Sequence, residues 1–296
     1  MTKLAFISRN ENAVTETFIR QHREKLDGEI HFMYGGLLPL YTNNGAKLIP
    51  NNPLLRIFLK ITGKIIHPGF NERERSIYRY FNKNNIEVVF AEYGHAGASI
   101  LNVCRLLKIP LIVHFHGHDA YRTKLLNMYP DQYQEKFVYA TAIISVSKDM
   151  TDQLVSLGCS KDKIIFNPYG PVERFYSLTN TFENKNFLAV GRFVEKKAPY
   201  LTLDAFRMTL IEHPDAHLIM VGDGPLMEVC INLVKAWGIE ESVHFKGVLP
   251  QNDIIKYFTE CIAFIQHSID VATGDTEGTP VAILEAGAAG LPVIAT

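Results

Sequence analysis

The sequence has few cysteines, almost no charge imbalance and no long apolar run. Only four of its 296 residues are cysteine, and none are in a Cys-x-x-Cys spacing, so neither a disulfide framework nor a zinc site is predicted. The net charge of −1 argues against nucleic-acid binding, which normally requires a basic excess. No apolar run is long enough to span a bilayer, and the stretch after Met1 is too short for a signal peptide. We therefore expect a cytoplasmic protein with free, buried thiols.

Short β-rich runs alternate regularly with amphipathic helical stretches, and the length suffices for two cores. This alternation predicts an α/β fold with mostly parallel sheets covered on both faces. We predict two doubly wound Rossmann-like domains, residues 1–170 and 171–296, that face each other across a cleft. The predicted strands are Leu4–Ser8, Glu29–Tyr34, Val88–Glu92, Leu111–Phe115, Ile143–Val146, Lys163–Phe166, Phe187–Val190, His217–Val221, Val243–Phe245, Ala263–Ile265 and Pro292–Ala295. The predicted helices are Thr15–Leu26, Asn71–Asn82, Ala98–Leu107, Lys148–Leu157, Ala198–Ile211, Leu226–Trp237, Gln251–Phe258 and Pro280–Ala288.

Glycines follow three predicted strands of the second half, at Gly191, Gly222 and Gly247. Ligands bind sheets of this kind at the carboxyl ends of the strands, and glycine lets the backbone approach a ligand closely. Any one of these glycines could simply turn a strand into a helix. Their convergence on one edge, together with Arg192 and Lys197, predicts a binding site there.

Arg192 and Lys197 place two cations just past a predicted strand. A guanidinium grips phosphate bidentately, and a lysine supplies a point charge. Such a pair can stabilise the negative charge that grows on a diphosphate leaving group. Taken alone, the pair fits a solvated basic turn equally well.

The segment from Glu277 to Glu285 starts a predicted helix between two carboxylates. Gly278 frees the turn, Thr279 is expected to cap the helix, and Pro280 suits its first position. Backbone N–H groups at a helix start bind phosphate, and Glu285 can accept hydrogen bonds from sugar hydroxyls. The segment indicates nucleotide-sugar chemistry.

These segments resemble the donor-binding half of the retaining glycosyltransferases of family 4, which have the GT-B fold. The most specific parts of the resemblance are Gly191–Lys197 and Glu277–Glu285. In the first half, Thr15–Ile19 and His116–Asp119 resemble segments of the exopolysaccharide and colanic-acid-type members. Members of the family continue past the strand that ends near Thr296, so we expect the second domain to be incomplete.

The resemblance implies a role for each residue of a donor site. Arg192 and Lys197 would bind the donor diphosphate and stabilise its departure. Glu277 would orient the transferred sugar, and Glu285 would hold the ribose hydroxyls. The remaining contacts would come from the backbone at Gly191, Gly278 and Thr279, from the main chain of Val248 against the base, and from His116 of the first domain against the sugar.

The implied reaction transfers a sugar from a nucleotide-sugar donor, UDP rather than GDP, to a glycan or lipid-linked acceptor in surface polysaccharide synthesis. No cofactor and no metal are expected, because arginine and lysine supply the electrostatic stabilisation. Two alternatives stay open. One is a truncated, non-catalytic remnant that binds nucleotide or glycan; the other is a GT-B nucleotide-sugar epimerase, which Thr15–Ile19 and His116–Asp119 disfavour.

A histidine cluster offers a rival, metal-binding interpretation. His114, His116, His118 and Asp119 superficially resemble a dinuclear zinc hydrolase motif. We expect alternate residues at the strand end to point to opposite faces, so that the three histidines do not share an ion. His114 is then a core histidine and His116 the functional one.

The segment Leu54–Ile66 is almost wholly apolar except for Arg56, Lys60 and Lys64, which recur every fourth residue. Such a helix can lie in the headgroup region of an anionic membrane, here on the inner face of the plasma membrane. The alternative is a core helix with one solvated face. A lipid-linked acceptor would favour the membrane interpretation.

Overall fold

The computed structural model describes residues 1–11, 17–122, 126, 130–272, 274–275, 277 and 279–296. The chain divides into two compact units, Met1–Pro168 and Tyr169–Thr296. The predicted domain boundary, between residues 170 and 171, lies in the same connecting segment.

The first unit is built on a seven-stranded sheet. Its strands are β1 (Lys3–Ile7), β2 (Glu29–Tyr34), β3 (Tyr41–Thr42), β4 (Val88–Glu92), β5 (Leu111–His114), β6 (Ala142–Ser145) and β7 (Ile164–Phe166). They lie in the order β3-β2-β1-β4-β5-β6-β7, and every neighbouring pair is parallel except β2 and β3. The described helices are α1 (Thr17–Lys25), α2 (Pro53–Ile66), α3 (Glu72–Asn84), α4 (Gly94–Leu107), α5 (His118–Tyr121), α6 (Pro130–Tyr139) and α7 (Lys148–Ser156).

The second unit carries a five-stranded parallel sheet in the order β10-β9-β8-β11-β12. Its strands are β8 (Asn186–Val190), β9 (His217–Val221), β10 (Val243–Phe245), β11 (Ala263–Gln266) and β12 (Val293–Ala295). Its helices are α8 (Pro199–Glu212), α9 (Met227–Trp237), α10 (Gln251–Glu260) and α11 (Val281–Ala288).

Both faces of the second sheet are covered, as β9 shows. Leu218 and Met220 pack into one apolar cluster, whereas Ile219 and Val221 pack into another. Successive side chains of a strand point to opposite faces, so each face of the sheet has its own core. The predicted α/β fold with parallel sheets is confirmed.

Helix α11 begins at Val281, with Pro280 at the N-cap position and no capping hydrogen bond from its side chain. The predicted start at Pro280 is one residue early, because a ψ of 109° keeps Pro280 extended.

All four cysteines are buried and free, as predicted, and burial raises the pKa of the Cys159 and Cys230 thiols to about 11. In the described part of the chain, no helix has the length and apolar content needed to cross a membrane.

Candidate functional site

At the ends of β8, β9 and β10, backbone hydrogen bonds that involve glycines join the three strand ends. The N–H of Gly191 donates to the Val221 carbonyl at 2.9 Å, and that of Gly222 donates to the Gly247 carbonyl at 2.8 Å. A Cβ on Gly222 would lie only 1.9 Å from the Gly191 carbonyl oxygen, and its φ is +138°. Only glycine fits there, so the glycines form a closely packed edge at the carboxyl ends of these strands.

An open cavity adjoins this edge. Gly191, Arg192 and Lys197 line it, together with Gln266 and His267 at the end of β11. The structure therefore brings three of the predicted donor-site residues to one opening. From the sequence, no role is assigned to Gln266 or His267.

Lys197 forms an ion pair with Glu277, with Nζ 3.3 Å from Oε1. Both side chains are largely buried, at 16% and 19% exposure. Burial lowers the pKa of Lys197, the Glu277 carboxylate opposes this shift, and the charges of Lys196 and Arg192 add to it. The site thus concentrates positive charge, which the Glu277 carboxylate partly neutralises at Lys197.

Lys196 ties the loop that follows β11 to the turn that carries Lys197. Its carbonyl accepts a hydrogen bond from the Ile269 N–H at 2.8 Å, and its Nζ lies 3.0 Å from Asp275 Oδ1 and 3.5 Å from Glu277 Oε1. Sequence reasoning missed both Lys196 and Asp275. No sequence signal identifies the pair, because 79 positions separate them.

Glu285, on α11, is 8% exposed and accepts a hydrogen bond from Gln251 Nε2 at 2.7 Å. Burial raises the pKa of Glu285 to about 7, although the Gln251 bond and the Arg174 charge oppose this. Among the described residues, the cavity lining does not include Glu285, Glu277, Thr279 or Val248. Val248 follows β10 and is 52% exposed, Thr279 is half-buried, and Gly278 lies outside the described residues.

In the first unit, His116 belongs to a buried cluster around Glu92. The Glu92 carboxylate is fully buried at the end of β4 and lies 2.5 Å from His116 Nε2, 2.9 Å from His22 Nδ1 and 3.6 Å from His114 Nδ1. Burial holds the pKa of His114 and of His116 well below the usual range, and neighbouring imidazoles add to the effect.

The expectation that His114 and His116 point to opposite faces is wrong. Their ring centroids are 4.4 Å apart, because residues two apart in extended chain share a face. Asp119 organises the same region. It accepts the N–H of His116 at 2.9 Å and that of Gly94 at 2.7 Å, which ties the segment after β5 to the start of α4.

The ligand atoms of His22, Glu92 and His114 lie within 4.8 Å of one another, a spacing that one cation can bridge. Imidazole and carboxylate are common zinc ligands, so metal independence stays a prediction. From the sequence, Glu92 is identified only as the last residue of a predicted strand. The sequence does hold a signal for Glu92, because it is a carboxylate at the end of an apolar strand and pairs with His114 in the sheet register. For His22, on α1, the sequence holds no such signal.

Two family models match this chain, one in each unit. Residues 33–170 match "Glycosyltransferase Family 4", and residues 177–296 match "Glycosyl transferases group 1". Together they leave few residues of the chain unmatched.

Curated relatives agree with these matches. The amylovoran biosynthesis glycosyltransferase AmsK of Erwinia amylovora is 28% identical over 216 residues, 71% of this chain and 53% of AmsK. The UDP-Gal:alpha-D-GlcNAc-diphosphoundecaprenol alpha-1,3-galactosyltransferase of Escherichia coli is 27% identical over 247 residues, 74% of this chain and 60% of that enzyme. The chain thus spans little more than half the length of these relatives.

Among solved structures, Anabaena Alr3699/HepE in complex with UDP and glucose matches with a TM-score of 0.70 at 15% identity, over 100% of this chain and 80% of that chain. A likeness of this kind shows the fold. Taken with the two family matches, it shows that the chain has the GT-B fold and belongs to the group 1 glycosyltransferases of family 4.

Proposed function

We propose that this chain carries out retaining transfer of a sugar from a UDP-sugar to a glycan or lipid-linked acceptor in surface polysaccharide synthesis. The observation that carries the proposal is that Arg192 and Lys197 line the same open cavity, beside the glycines at the carboxyl ends of the strands of the second sheet. The names of AmsK and of the galactosyltransferase, and the UDP bound by HepE, support the same chemistry.

In this proposal the two cations receive the donor diphosphate and stabilise the charge that develops as the glycosidic bond breaks. Glu277, which forms an ion pair with Lys197, orients the sugar. Glu285 accepts hydrogen bonds from the ribose hydroxyls. His116, Gly191, Gly278, Thr279 and Val248 keep the contact roles that the resemblance implies. No cofactor is required, and the cations replace a divalent metal. Loss of transfer in chelator, with recovery on adding zinc, would contradict the metal-independent mechanism.

Calorimetric titration of UDP and of GDP into the purified chain tests the donor site. We expect UDP to bind, and Arg192→Ala and Glu285→Ala each to weaken binding by about tenfold to a hundredfold, the usual cost of a hydrogen bond to a charged group. Lys235→Ala removes an exposed cation of α9 and should leave binding unchanged. A folded protein that binds neither nucleotide would contradict the proposal.

Turnover separates a transferase from a protein that only binds nucleotide. A transferase slowly hydrolyses its donor when no acceptor is present, because water takes the acceptor's place. Release of free sugar from UDP-glucose or from UDP-galactose, the donors named for HepE and for the galactosyltransferase, is the expected result, and Lys197→Met should lose it. Tight UDP binding without any hydrolysis would favour the non-catalytic alternative.

We also propose that α2 makes peripheral contact with the inner face of an anionic membrane. Its apolar side chains are exposed, with Leu54 at 80%, Phe58 at 61% and Ile65 at 76%. The alternative, a core helix, is therefore wrong for these positions. Arg56, Lys60 and Lys64 give the same helix the positive charge that attracts anionic headgroups.

Vesicle partitioning tests this contact. Replacing Arg56, Lys60 and Lys64 together by alanine should weaken binding to phosphatidylglycerol vesicles by roughly a hundredfold, since each cation near an anionic surface contributes about 1 kcal/mol. High salt should act in the same direction. Equal partitioning of the variant and the wild type would remove the proposal.

A further inference from the structure

Lys136, on α6, is a fully buried lysine. Aromatic rings surround its amino group, with Nζ 3.3 Å from the ring centroid of Tyr133, 4.6 Å from that of Phe115 and 4.9 Å from that of Phe137. Burying a lysine is costly unless hydrogen bonds and a negative charge compensate for the lost water. The role of Lys136 therefore depends on the groups that its Nζ reaches.

The backbone of Gly94, at the start of α4, compensates for the burial of Lys136. Lys136 Nζ donates to the Gly94 carbonyl at 3.1 Å, and the Gly94 N–H donates to Asp119 Oδ2 at 2.7 Å. Asp119 is also fully buried, and its charge opposes the lowering of the Lys136 pKa that burial causes. One glycine residue thus connects a buried amino group with a buried carboxylate.

The start of α4 depends on this connection. Tyr93, just before the helix, has a φ of +77°, and a residue other than glycine keeps such a strained conformation only when its surroundings hold it. The first N–H groups of a helix have no partner within the helix, and Asp119 supplies one for Gly94 from another element. An added Cβ on Gly94 would overlap the Phe115 ring, so this backbone lies directly against the rings that surround Lys136.

Asp119 extends the connection to His116. Its second carboxylate oxygen, Oδ1, accepts the N–H of His116 at 2.9 Å, and its main-chain carbonyl accepts a hydrogen bond from Tyr133 Oη at 3.2 Å. Tyr133 and Lys136 lie one turn apart on α6. Helix α6 therefore holds the segment His116–Asp119 through two side chains, directly through Tyr133 and by way of Gly94 through Lys136.

We propose that Lys136 is a positioning residue for the contact of His116 with the donor sugar. This inference rests on the proposed function and adds a residue to it. Lys136 fixes the backbone of Gly94, and Gly94 and His116 share the two carboxylate oxygens of Asp119. A misplacement of about 1 Å can lower turnover a hundredfold. The proposed nucleotide contacts belong to the second unit, so the loss should appear in turnover and not in UDP binding.

Lys136→Met removes the connection without opening a large cavity. Methionine has a similar length and packs well against aromatic rings, but it cannot donate to the Gly94 carbonyl. Lys163→Met is the matched control, because Lys163 Nζ donates to the carbonyls of Phe137 and Val138 at the end of the same helix. Circular dichroism checks the fold of each variant, and Lys136→Leu replaces Lys136→Met if that variant does not fold.

Hydrogen exchange of the full chain, followed by mass spectrometry, tests the connection independently of activity. The relevant peptides contain Gly94 and His116, whose N–H groups donate to Asp119. We expect Lys136→Met to speed exchange in both peptides by about tenfold, the usual value of one hydrogen bond to a charged group. Lys163→Met should leave exchange in these peptides unchanged.

Turnover tests whether this position matters for the reaction. In acceptor-free hydrolysis of the sugar nucleotide, Lys136→Met should lower kcat by at least about tenfold, while the Kd for UDP stays within about twofold of the wild type. Lys163→Met should change neither quantity. A purely structural role for Lys136 would lower the unfolding midpoint but leave kcat unchanged at temperatures where the variant is folded.

Unchanged exchange in Lys136→Met would overturn the inference, whatever the activity. Faster exchange with unchanged kcat would also overturn it, because the segment would then be held without effect on the reaction. The same follows if Lys163→Met matches Lys136→Met in both measurements. A folded wild type that hydrolyses no sugar nucleotide, together with faster exchange in Lys136→Met, would instead overturn the proposed function and leave Lys136 a purely structural residue.

Discussion

Glu285 shows how its surroundings tune a carboxyl group that the resemblance assigns to ribose binding. Its side chain is 8% exposed, and Gln251 supplies a hydrogen bond. Burial outweighs that bond and raises its pKa to about 7. The folded protein therefore favours the protonated form, and the stability that this group contributes is lost as pH rises through about 7.

The raised pKa of Glu285 predicts pH-dependent donor binding. Ribose hydroxyls donate to the ionised carboxylate, so affinity for UDP-glucose should rise from about pH 5 to about pH 7 and then level off. UDP-glucose itself has no group that titrates in this range. Calorimetry across the range should show this profile, and Glu285→Gln should bind more weakly with a flat profile. Wild-type affinity that is flat, or that rises in acid, would count against the assigned role.

We expect Gly222→Ala, which adds a single methyl group, to cause a large loss of stability. Gly222→Ala forces a Cβ to 1.9 Å from the Gly191 carbonyl oxygen at a φ of +138°. We expect a loss of more than about 3 kcal/mol in the free energy of unfolding of the second unit, measured by urea titration. Gly287→Ala is the control. That glycine is exposed in α11 with nothing within 4 Å of an added Cβ, so alanine should stabilise by up to about 1 kcal/mol.

At the scale of elements, most strands and helices follow from local pattern. The predicted bounds of β2, β4, β9 and β10 match the structure, because apolar runs and flanking turn residues define each strand. Strand β3 is missed because it has two residues and pairs antiparallel. Helix α6 is missed because Lys136 occupies a buried core position between Tyr133 and Phe137, so the apolar stripe looks broken.

We expect a substitution that loosens the loop after β11 to weaken binding of UDP-glucose but not binding of UDP. Lys196→Met removes the ties to Asp275 and Glu277, so the loop should no longer hold its position against the donor sugar. We expect affinity for UDP-glucose to fall by about tenfold while that for UDP stays within about twofold. Lys185→Met removes an ion pair with Asp215 that is exposed, and it should change neither. Equal losses for UDP and UDP-glucose would mean that Lys196 contacts the nucleotide instead.

For the whole molecule, the two units can be followed separately because the sequence contains one tryptophan. Trp237 ends α9 in the second unit, and the Arg207 guanidinium lies 4.9 Å from its ring centroid. Its fluorescence therefore reports unfolding of the unit that holds the proposed donor site. Circular dichroism reports both units.

Saturation with UDP should stabilise the second unit. At a UDP concentration of 100 times Kd, the gain is about 2.7 kcal/mol, seen as a higher midpoint in the Trp237 fluorescence. The Arg192→Ala variant, whose Kd we expect to be tenfold to a hundredfold higher, should keep only about 0.4 to 1.4 kcal/mol of this gain at the same UDP concentration. A midpoint that does not move, although calorimetry shows binding, would mean that UDP binds elsewhere.

The sequence by itself determined the α/β alternation, the family and the meeting of Gly191, Arg192 and Lys197, because strand period, turn chemistry and the shared carboxyl edge of parallel strands are local rules. Only the tertiary structure decided that Glu92 lies among imidazoles from α1, from β5 and from the residues after β5, and that Glu285 titrates near neutrality. These features depend on burial and on contacts between residues far apart in the chain, which come into existence only when the helices pack on the sheets.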